Sequence, residues 1–304
     1  MKSARTLALR QRGFTLVEAI IVMVVTGVLA GVMVLFIRQP IQNYVDASAR
    51  ADLSDTADLA LRRMARELRG ALPNSIRTLY SGGVWYVQFI PVKAAGQYLA
   101  VEDNASSGIP LSFTSNTATQ FDVVGPMPAI NTATDLIAIY NLGNGITDAD
   151  AYFAGESPVT VNQLNRQGVV TVSGTTVTLA NSHNNFADPA VQGRVPNSSP
   201  DHRFFVINTP VTFRCEGKAD GTGTLARISN NPFSAVQATV AFTSNTPLLA
   251  TNVQECDFSA TQAGSLHSAL IGMTLSLARP RAGVSANGLE TVTLVHQIHM
   301  DNTP

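Results

Sequence analysis

Charge is scarce in this sequence. Asp, Glu, Lys and Arg make up 13% of its 304 residues, about half the usual share near 25%. Hydrophobic residues make up 45%. A disordered, solvating chain needs the opposite balance and is excluded. No basic excess exists either: 20 Lys and Arg stand against 21 Asp and Glu, so nucleic-acid binding has no electrostatic support. Two cysteines, Cys215 and Cys256, are too few for a disulfide-dense mini-scaffold or a zinc site of four thiolates. The sequence also lacks a Gly-x-Ser-x-Gly elbow, a P-loop and a Gly-x-Gly-x-x-Gly unit. An enzymatic reading therefore has nothing to stand on, and no cofactor is expected. What remains is an ordinary folded chain with the length of roughly two average domains.

The amino terminus is the most informative part. Residues 1–13 hold Lys2, Arg5, Arg10 and Arg12 and no acid, and residues 14–37 are predominantly apolar. As a helix, that run reaches roughly 36 Å, enough to cross a bilayer. Its only ionisable group is Glu18, and a carboxylate at that depth costs a few kcal/mol, so it needs a reason. The basic flank should stay cytoplasmic, which places everything after Ile37 on the far side.

Three readings of this segment compete. One is a plain signal anchor. A second is a secretory signal peptide cut after Val28-Leu29-Ala30, which must then accommodate Glu18 and the apolar residues beyond Gly31. The third is a leader cut before the apolar run, after Gly13. The residues Gly13-Phe14-Thr15-Leu16-Val17-Glu18 resemble the prepilin peptidase site of type IV pilins and of the pseudopilins of type II secretion. The resemblance implies cleavage between Gly13 and Phe14 and N-methylation of Phe14. Cleavage would lower the basic count from 20 to 16 against 21 acids. It implies prepilin peptidase, other minor and major pilins and an inner-membrane assembly platform as partners. Glu18 then has a physical role: unpaired in lipid, it can meet the amino terminus of a neighbouring subunit, so its desolvation cost favours assembly.

Beyond the apolar run, residues 41–72 keep helical spacing. Leu53, Ala57, Leu61, Met64, Leu68 and Leu72 form one apolar stripe. The other face carries Asp46, Asp52, Asp55 and Asp58, then Arg62, Arg63, Arg66 and Arg69, acids early and bases late as suits the helix dipole. Asp46 with Arg50 and Asp58 with Arg62 stand at the favourable i,i+4 offset. The Arg cluster reads as a solvated helix face, with a partner or lipid-headgroup patch as the alternative. Gly70 and Pro73 should end the helix, and Pro40 should kink it or mark its exit from the membrane. In pilins a helix-bending Pro often stands where Leu35 stands here, which puts bending at that place in doubt.

After Pro73 the period changes to short β-type runs. Strands are expected at 84–90, 120–124, 136–140, 169–172, 175–179, 204–208, 211–215, 224–229, 253–258, 270–277 and 291–300, with Ser173-Gly174 as a tight hairpin turn. The fold class is α+β. Its expected divisions are a leader (1–13), a transmembrane half-helix (14–37), an amphipathic half-helix (38–72) and a β-rich periplasmic head (73–304). In an oxidising periplasm Cys215 and Cys256 should pair, two buried thiols being the alternative. In the chain-entropy model the closed loop would be worth about 4 kcal/mol.

Weaker signals give little chemistry. His296 and His299 point to opposite faces of a strand, and His183, His202 and His267 make no ligand pattern, so no metal is expected. Asn141, Asn144, Asp148 and Asp150 have the content of a calcium loop but lack EF-hand spacing and a bidentate Glu. Trp85 and Tyr86 read as core and edge rather than as a ligand platform.

A closer resemblance lies outside the leader. Pro40-Ile41-Gln42-Asn43-Tyr44-Val45-Asp46, Leu61-Arg62-Arg63-Met64-Ala65-Arg66-Glu67-Leu68-Arg69 and the tail His296-Gln297-Ile298-His299-Met300-Asp301 are similar to the MshO group, minor pilin-like proteins of mannose-sensitive haemagglutinin (MSHA) pilus biogenesis. This implies a non-catalytic assembly subunit in the bacterial inner membrane, with incorporation at a pilus tip. The J-type minor pseudopilin of type II secretion has the same plan, and a tethered or tip adhesin is a further alternative.

Overall fold

A computed structural model describes residues 13–143, 145–146, 149–153, 165–187, 198–262, 268–281 and 288–301. Helix α1 spans Leu16–Arg69. Thr15 caps its start, its Oγ1 accepting the Glu18 amide at 3.2 Å, and Gly70 ends it. Pro40 lies inside the helix without ending it, although it has no N–H to donate to the Phe36 carbonyl.

The thirteen strands among the described residues are β1 Arg77–Ser81, β2 Val84–Phe89, β3 Val92–Tyr98, β4 Gln120–Val124, β5 Leu136–Ala138, β6 Arg166–Ser173, β7 Thr176–Leu179, β8 Arg203–Ile207, β9 Val211–Glu216, β10 Gly223–Ile228, β11 Leu248–Gln262, β12 Ser268–Pro280 and β13 Leu289–Asp301. Seven form an antiparallel sheet in the order β1-β2-β9-β10-β11-β12-β13, and six close into a barrel in the order β3-β4-β7-β6-β5-β8. An apolar helix followed by a large antiparallel head is the α+β architecture expected of a pilin-like fold.

The helix buries its stripe on the sheet. Leu53, Ala57, Leu61, Met64 and Leu68 share one core with Phe213, Leu225, Phe258, Met273, Leu275 and Ile298. Alternation along β13 turns Ile298 and Met300 inward and leaves Val295 66% exposed. The tight β1–β2 turn is Gly82-Gly83, both at positive φ (59° and 80°), as a type I′ hairpin requires.

The barrel is an insertion between two neighbouring strands. β2 pairs with β9 from Val84↔Glu216 to Phe89↔Val211, and past Pro91 the same two chains pair again as β3 and β8, from Val92↔Ile207. The barrel core includes Tyr98, Phe121, Phe186 and Phe204. At the joint, the Leu72 amide donates to Ile90 O (2.7 Å) and the Val92 amide to Gly70 O (3.0 Å), tying the helix end to the crossing. Leu72, Ile90, Ala138, Tyr152 and Ile207 fill it. The Arg77 and Arg166 guanidinium groups stack there on Tyr152 (3.7 Å) and Phe233 (3.6 Å). Burial lowers the Arg166 pKa to about 10.

Several expectations need correction. The sequence pattern does not predict β1 or β3: Arg77–Ser81 is a polar edge strand, and β3 contains Ala94-Ala95-Gly96, which lacks β propensity. Gly96 is there because Phe204 lies flat on it; an added Cβ would sit 2.6 Å from the ring. The 136–140 strand stops at Ala138, with Tyr140 in the left-handed region at φ 49°. The hairpin loop is Gly174-Thr175, one residue beyond the expected position, since Ser173 pairs with Thr176.

In the barrel wall Lys93 Nζ meets Asp135 Oδ2 at 2.6 Å. Burial alone would raise the Asp135 carboxyl, but the Lys93 hydrogen bond, the Asn131 amide, the Lys93 charge and the Thr134 hydroxyl hold it below its ordinary value. A carboxyl lowered on folding stabilises the fold above its unfolded pKa and loses that contribution as pH falls through the folded one. Urea midpoints measured against pH should drop below about pH 4, and Asp135→Asn should flatten that acid limb. An unchanged limb in the variant would show that the pair contributes nothing.

Candidate anchoring and assembly site

The first half of α1 has no packing partner among the described residues. Leu16–Val34 is long and apolar enough to cross a membrane, and none of it is buried. Phe14 is 81% exposed and Leu16 76%. A continuous apolar surface of this length is not stable in water and marks contact with lipid or another protein.

Glu18 is in the first turn of that helix, about 6 Å along the axis from Phe14. Its amide is capped by Thr15, but its carboxylate has no hydrogen bond or ion pair among the described residues. The helix dipole favours a negative charge there. That contribution is under about 1 kcal/mol at an exposed end and falls short of the cost of placing a carboxylate in lipid. The geometry therefore leaves an acid close to Phe14 on an uncovered apolar rod.

The second half of the helix is held by ion pairs that its own sequence does not reveal. Asp46 and Arg50 do not pair with each other as their spacing suggests. Arg50 Nε donates to Glu290 Oε1 at 2.6 Å, and Arg281 Nε donates to Asp46 Oδ2 at 3.1 Å. Glu290 opens β13 with its side chain only 9% exposed. A nearly buried carboxylate gains far more from a cation than an exposed i,i+4 pair can supply. Asp58 and Arg62 do pair, at 2.8 Å. Further along, Arg227 reaches Glu67 at 2.7 Å. Arg281, Glu290 and Arg227 are residues that sequence reasoning missed, because no local spacing links them to the helix.

Opposite the buried stripe, Asp55, Leu59, Arg62, Arg66 and Arg69 follow a four-three spacing on the exposed face, while Asp52 at the edge of that row reaches Arg279 of β12 at 3.7 Å. Leu59 is 68% exposed. Arg66 lies roughly 48 Å along the helix beyond Val34, too far for lipid headgroups at the membrane that holds the apolar half.

Cys215 on β9 and Cys256 on β11 form a disulfide, with Cα atoms 6.5 Å apart. The bond joins two strands that β10 separates where it pairs with Thr212–Glu216 of β9 and Leu248–Val253 of β11. Beyond the start of β10 they touch directly: a Cβ on Gly217 would lie 2.9 Å from the Gln254 carbonyl.

The other candidates have structural roles. Asn141 donates to Pro73 O (2.7 Å) and accepts from the Ala151 amide. Asp150 accepts from Gly145 and Tyr152 amides. These hydrogen bonds hold the loop closed; Asn144 and Asp148 lie outside the described residues. His296 is half-buried on the inward face of β13 and His299 is exposed on the other. His202 faces Asp103 at 3.6 Å, and His267 is outside the described residues.

Residues 9–34 match the family model described as the prokaryotic N-terminal methylation motif. No curated protein and no solved structure matches the chain. The chain thus carries a prepilin-type methylation motif on an exposed apolar helix, joined to a β-rich head.

Replacing both Cys215 and Cys256 with Ser should destabilise the head by about 2–4 kcal/mol, read as a lower denaturant midpoint. Reduction of the native protein should give the same shift, and the serine variant should no longer respond to reductant. An equal midpoint with and without reductant would show that the crosslink adds nothing.

Proposed function

We propose that this protein is a non-catalytic pilin-like subunit, cut after Gly13 by prepilin peptidase and built into a pilus or pseudopilus from the inner membrane. The observation that carries the reading is the Glu18 carboxylate, unpaired among the described residues on an uncovered apolar helix that bears the methylation motif. Cleavage would free an α-amino group on Phe14, the group that the resemblance implies is methylated. In a bundle of parallel helices, Glu18 of one subunit would neutralise that cation on the next. Neither charge would then be left alone in a low-dielectric surrounding.

The finer reading is a minor subunit of an MSHA-type pilus, acting in initiation or at the tip, with its head in the periplasm. It rests on the likeness of residues 40–77 and of the tail to the MshO group. The barrel inserted at residues 92–207 supports a minor role, because a head so enlarged is harder to repeat along a filament. A J-type pseudopilin shares these features, and gene neighbourhood distinguishes the two. A tethered adhesin would use the head alone and would leave Glu18 without a purpose.

The mature protein should begin at Phe14 by mass spectrometry; a first residue of Gly31, or an intact Met1, overturns the proposal. Glu18→Leu should be made, cleaved and inserted normally yet fail to co-isolate with other pilins, because an unpaired amino group in the bundle costs a few kcal/mol. In a plain anchor the same change is harmless or improves insertion. Wild-type co-isolation and full piliation by the variant would therefore count against assembly through Glu18.

A further inference from the structure

The seven-stranded sheet ends on β1 at one side and on β13 at the other, and the two edges differ. Strand β1 is five residues long, and its Arg77 is tied to the Ser234 and Ala235 carbonyls. Strand β13 is thirteen residues long and pairs with β12 from Leu289↔Pro280 to Asp301↔Ser268 without a register shift. Its other edge pairs with no strand and takes part in no backbone hydrogen bond among the described residues. Natural edge strands are kept short or carry Lys, Pro or a bulge, because a row of unpaired amides and carbonyls is a template for another strand. Between Glu290 and Asp301 this strand has no Lys, Arg, Pro or Gly and no acid. Its apolar rows are also left open. On the inward face Ile298 and Met300 are buried, whereas Val292 and Leu294 are only half-buried. On the outer face Val295 stands between the exposed Thr293 and Gln297 and is itself exposed.

We propose that the free edge of β13 is a docking site for an extended, uncharged segment of a partner protein, which joins the sheet as an added strand. Every second residue of β13 points its N–H and C=O away from β12, so about six residues can bond to such a segment. Backbone pairing supplies the affinity, and side chains at alternate positions supply the selectivity. Beside Val292 and Leu294 the segment needs apolar side chains on one face. Beside Thr293, Val295 and Gln297 it needs β-branched or small polar ones on the other. Charge favours a neutral occupant. Glu290, at the near end, is already taken by Arg50 at 2.6 Å, and residues 291–300 include no Lys, Arg, Asp or Glu for a charged strand to meet. A charged side chain laid along them would be partly desolvated without a partner. A second copy of β13 fits less well. Two like strands joined through the same edge are related by a two-fold axis and close on themselves, whereas filament subunits follow one another along a screw axis. That preference rests on the assembly role proposed above; the open edge does not.

Hydrogen exchange read by mass spectrometry over residues 289–301, on the full chain in detergent micelles, tests this. The probe is an acetylated heptapeptide amide of alternating threonine and valine. In the free chain roughly half of the amides in that segment should exchange fast, because they are unbonded. Saturating peptide should slow them and leave the barrel strands unchanged. The same peptide N-methylated at every residue keeps its side chains but has no backbone donors, and it should give no protection. Val295→Lys combined with Gln297→Lys should keep the thermal midpoint, as both side chains are exposed, and lose the protection, because edge lysines resist strand addition. Equal protection by the N-methylated peptide, none by either peptide, or undiminished protection in the lysine variant overturns the proposal. Tighter binding of a peptide with lysine or glutamate in place of threonine also overturns it, since the occupant would then be charged. An edge already protected in the free chain, together with sedimentation as a dimer, would show that a second copy fills it and would rule out the partner strand. None of these readouts involves cleavage or piliation, so the edge site and the assembly role can fail separately.

Discussion

Leu53, Ala57, Leu61, Met64 and Leu68 hold a 54-residue helix against the sheet, and the rest of the structure depends on that contact. Met64 and Leu68 are completely buried, and truncating such a side chain to Ala typically costs about 2–5 kcal/mol. An isolated helix has no such anchor and draws its stability from propensity alone. The stripe therefore fixes which half of the rod is folded into the head and which half must find other company. It also fixes the rotation of the helix, so that Leu59 and the arginines Arg62, Arg66 and Arg69 are outside while the sheet takes the opposite face.

The head is built outward from that contact in two steps. First, seven antiparallel strands cover the helix, and the disulfide pins β9 to β11 at the end where β10 no longer lies between them. Second, the β2–β9 ribbon continues past Pro91 into the barrel, so the insertion shares its backbone register with the sheet. The joint is not a flexible linker. Leu72 and Gly70, at the end of the helix, bond across it, and two stacked arginines close its sides. The cost of burying those guanidinium groups is offset by aromatic faces and carbonyls: Arg77 donates to Ser234 O and Ala235 O at 2.9 and 3.1 Å.

How much of this the sequence reveals depends on the range of the interaction. The helix is legible because its period of 3.6 repeats over many turns, and strands such as Gln120–Val124 and Val211–Glu216 because their alternation is local. Strand β3 is not, since Ala94-Ala95-Gly96 becomes a strand only when β8 and the Phe204 ring lie beside it. Barrel closure is hidden for the same reason, as it needs β8 to pair with both β3 and β5. Long strands were read short: β11, β12 and β13 extend through polar residues that their neighbours hold in register. At the candidate site, Glu18 is conspicuous in sequence because a lone acid in an apolar run breaks a physical rule. The partners of Asp46 and Arg50 are invisible there, because Arg281 and Glu290 come from the far end of the chain.

The contrast between Glu18 and Glu290 shows why one acid can be structural and the other cannot. Glu290 is nearly buried, and the fold brings Arg50 to it at 2.6 Å, so its desolvation is compensated inside the chain. Glu18 has no cation within reach among the described residues and no surrounding fold to desolvate it. In water such a carboxylate is hydrated and costs nothing. In lipid it costs a few kcal/mol, and nothing on its own helix can repay that. A positive charge carried by another molecule at the same depth would restore the balance. A chain that keeps an acid at this place has part of its stability outside itself, and the same apolar helix that inserts it confines the search for that partner to the membrane plane.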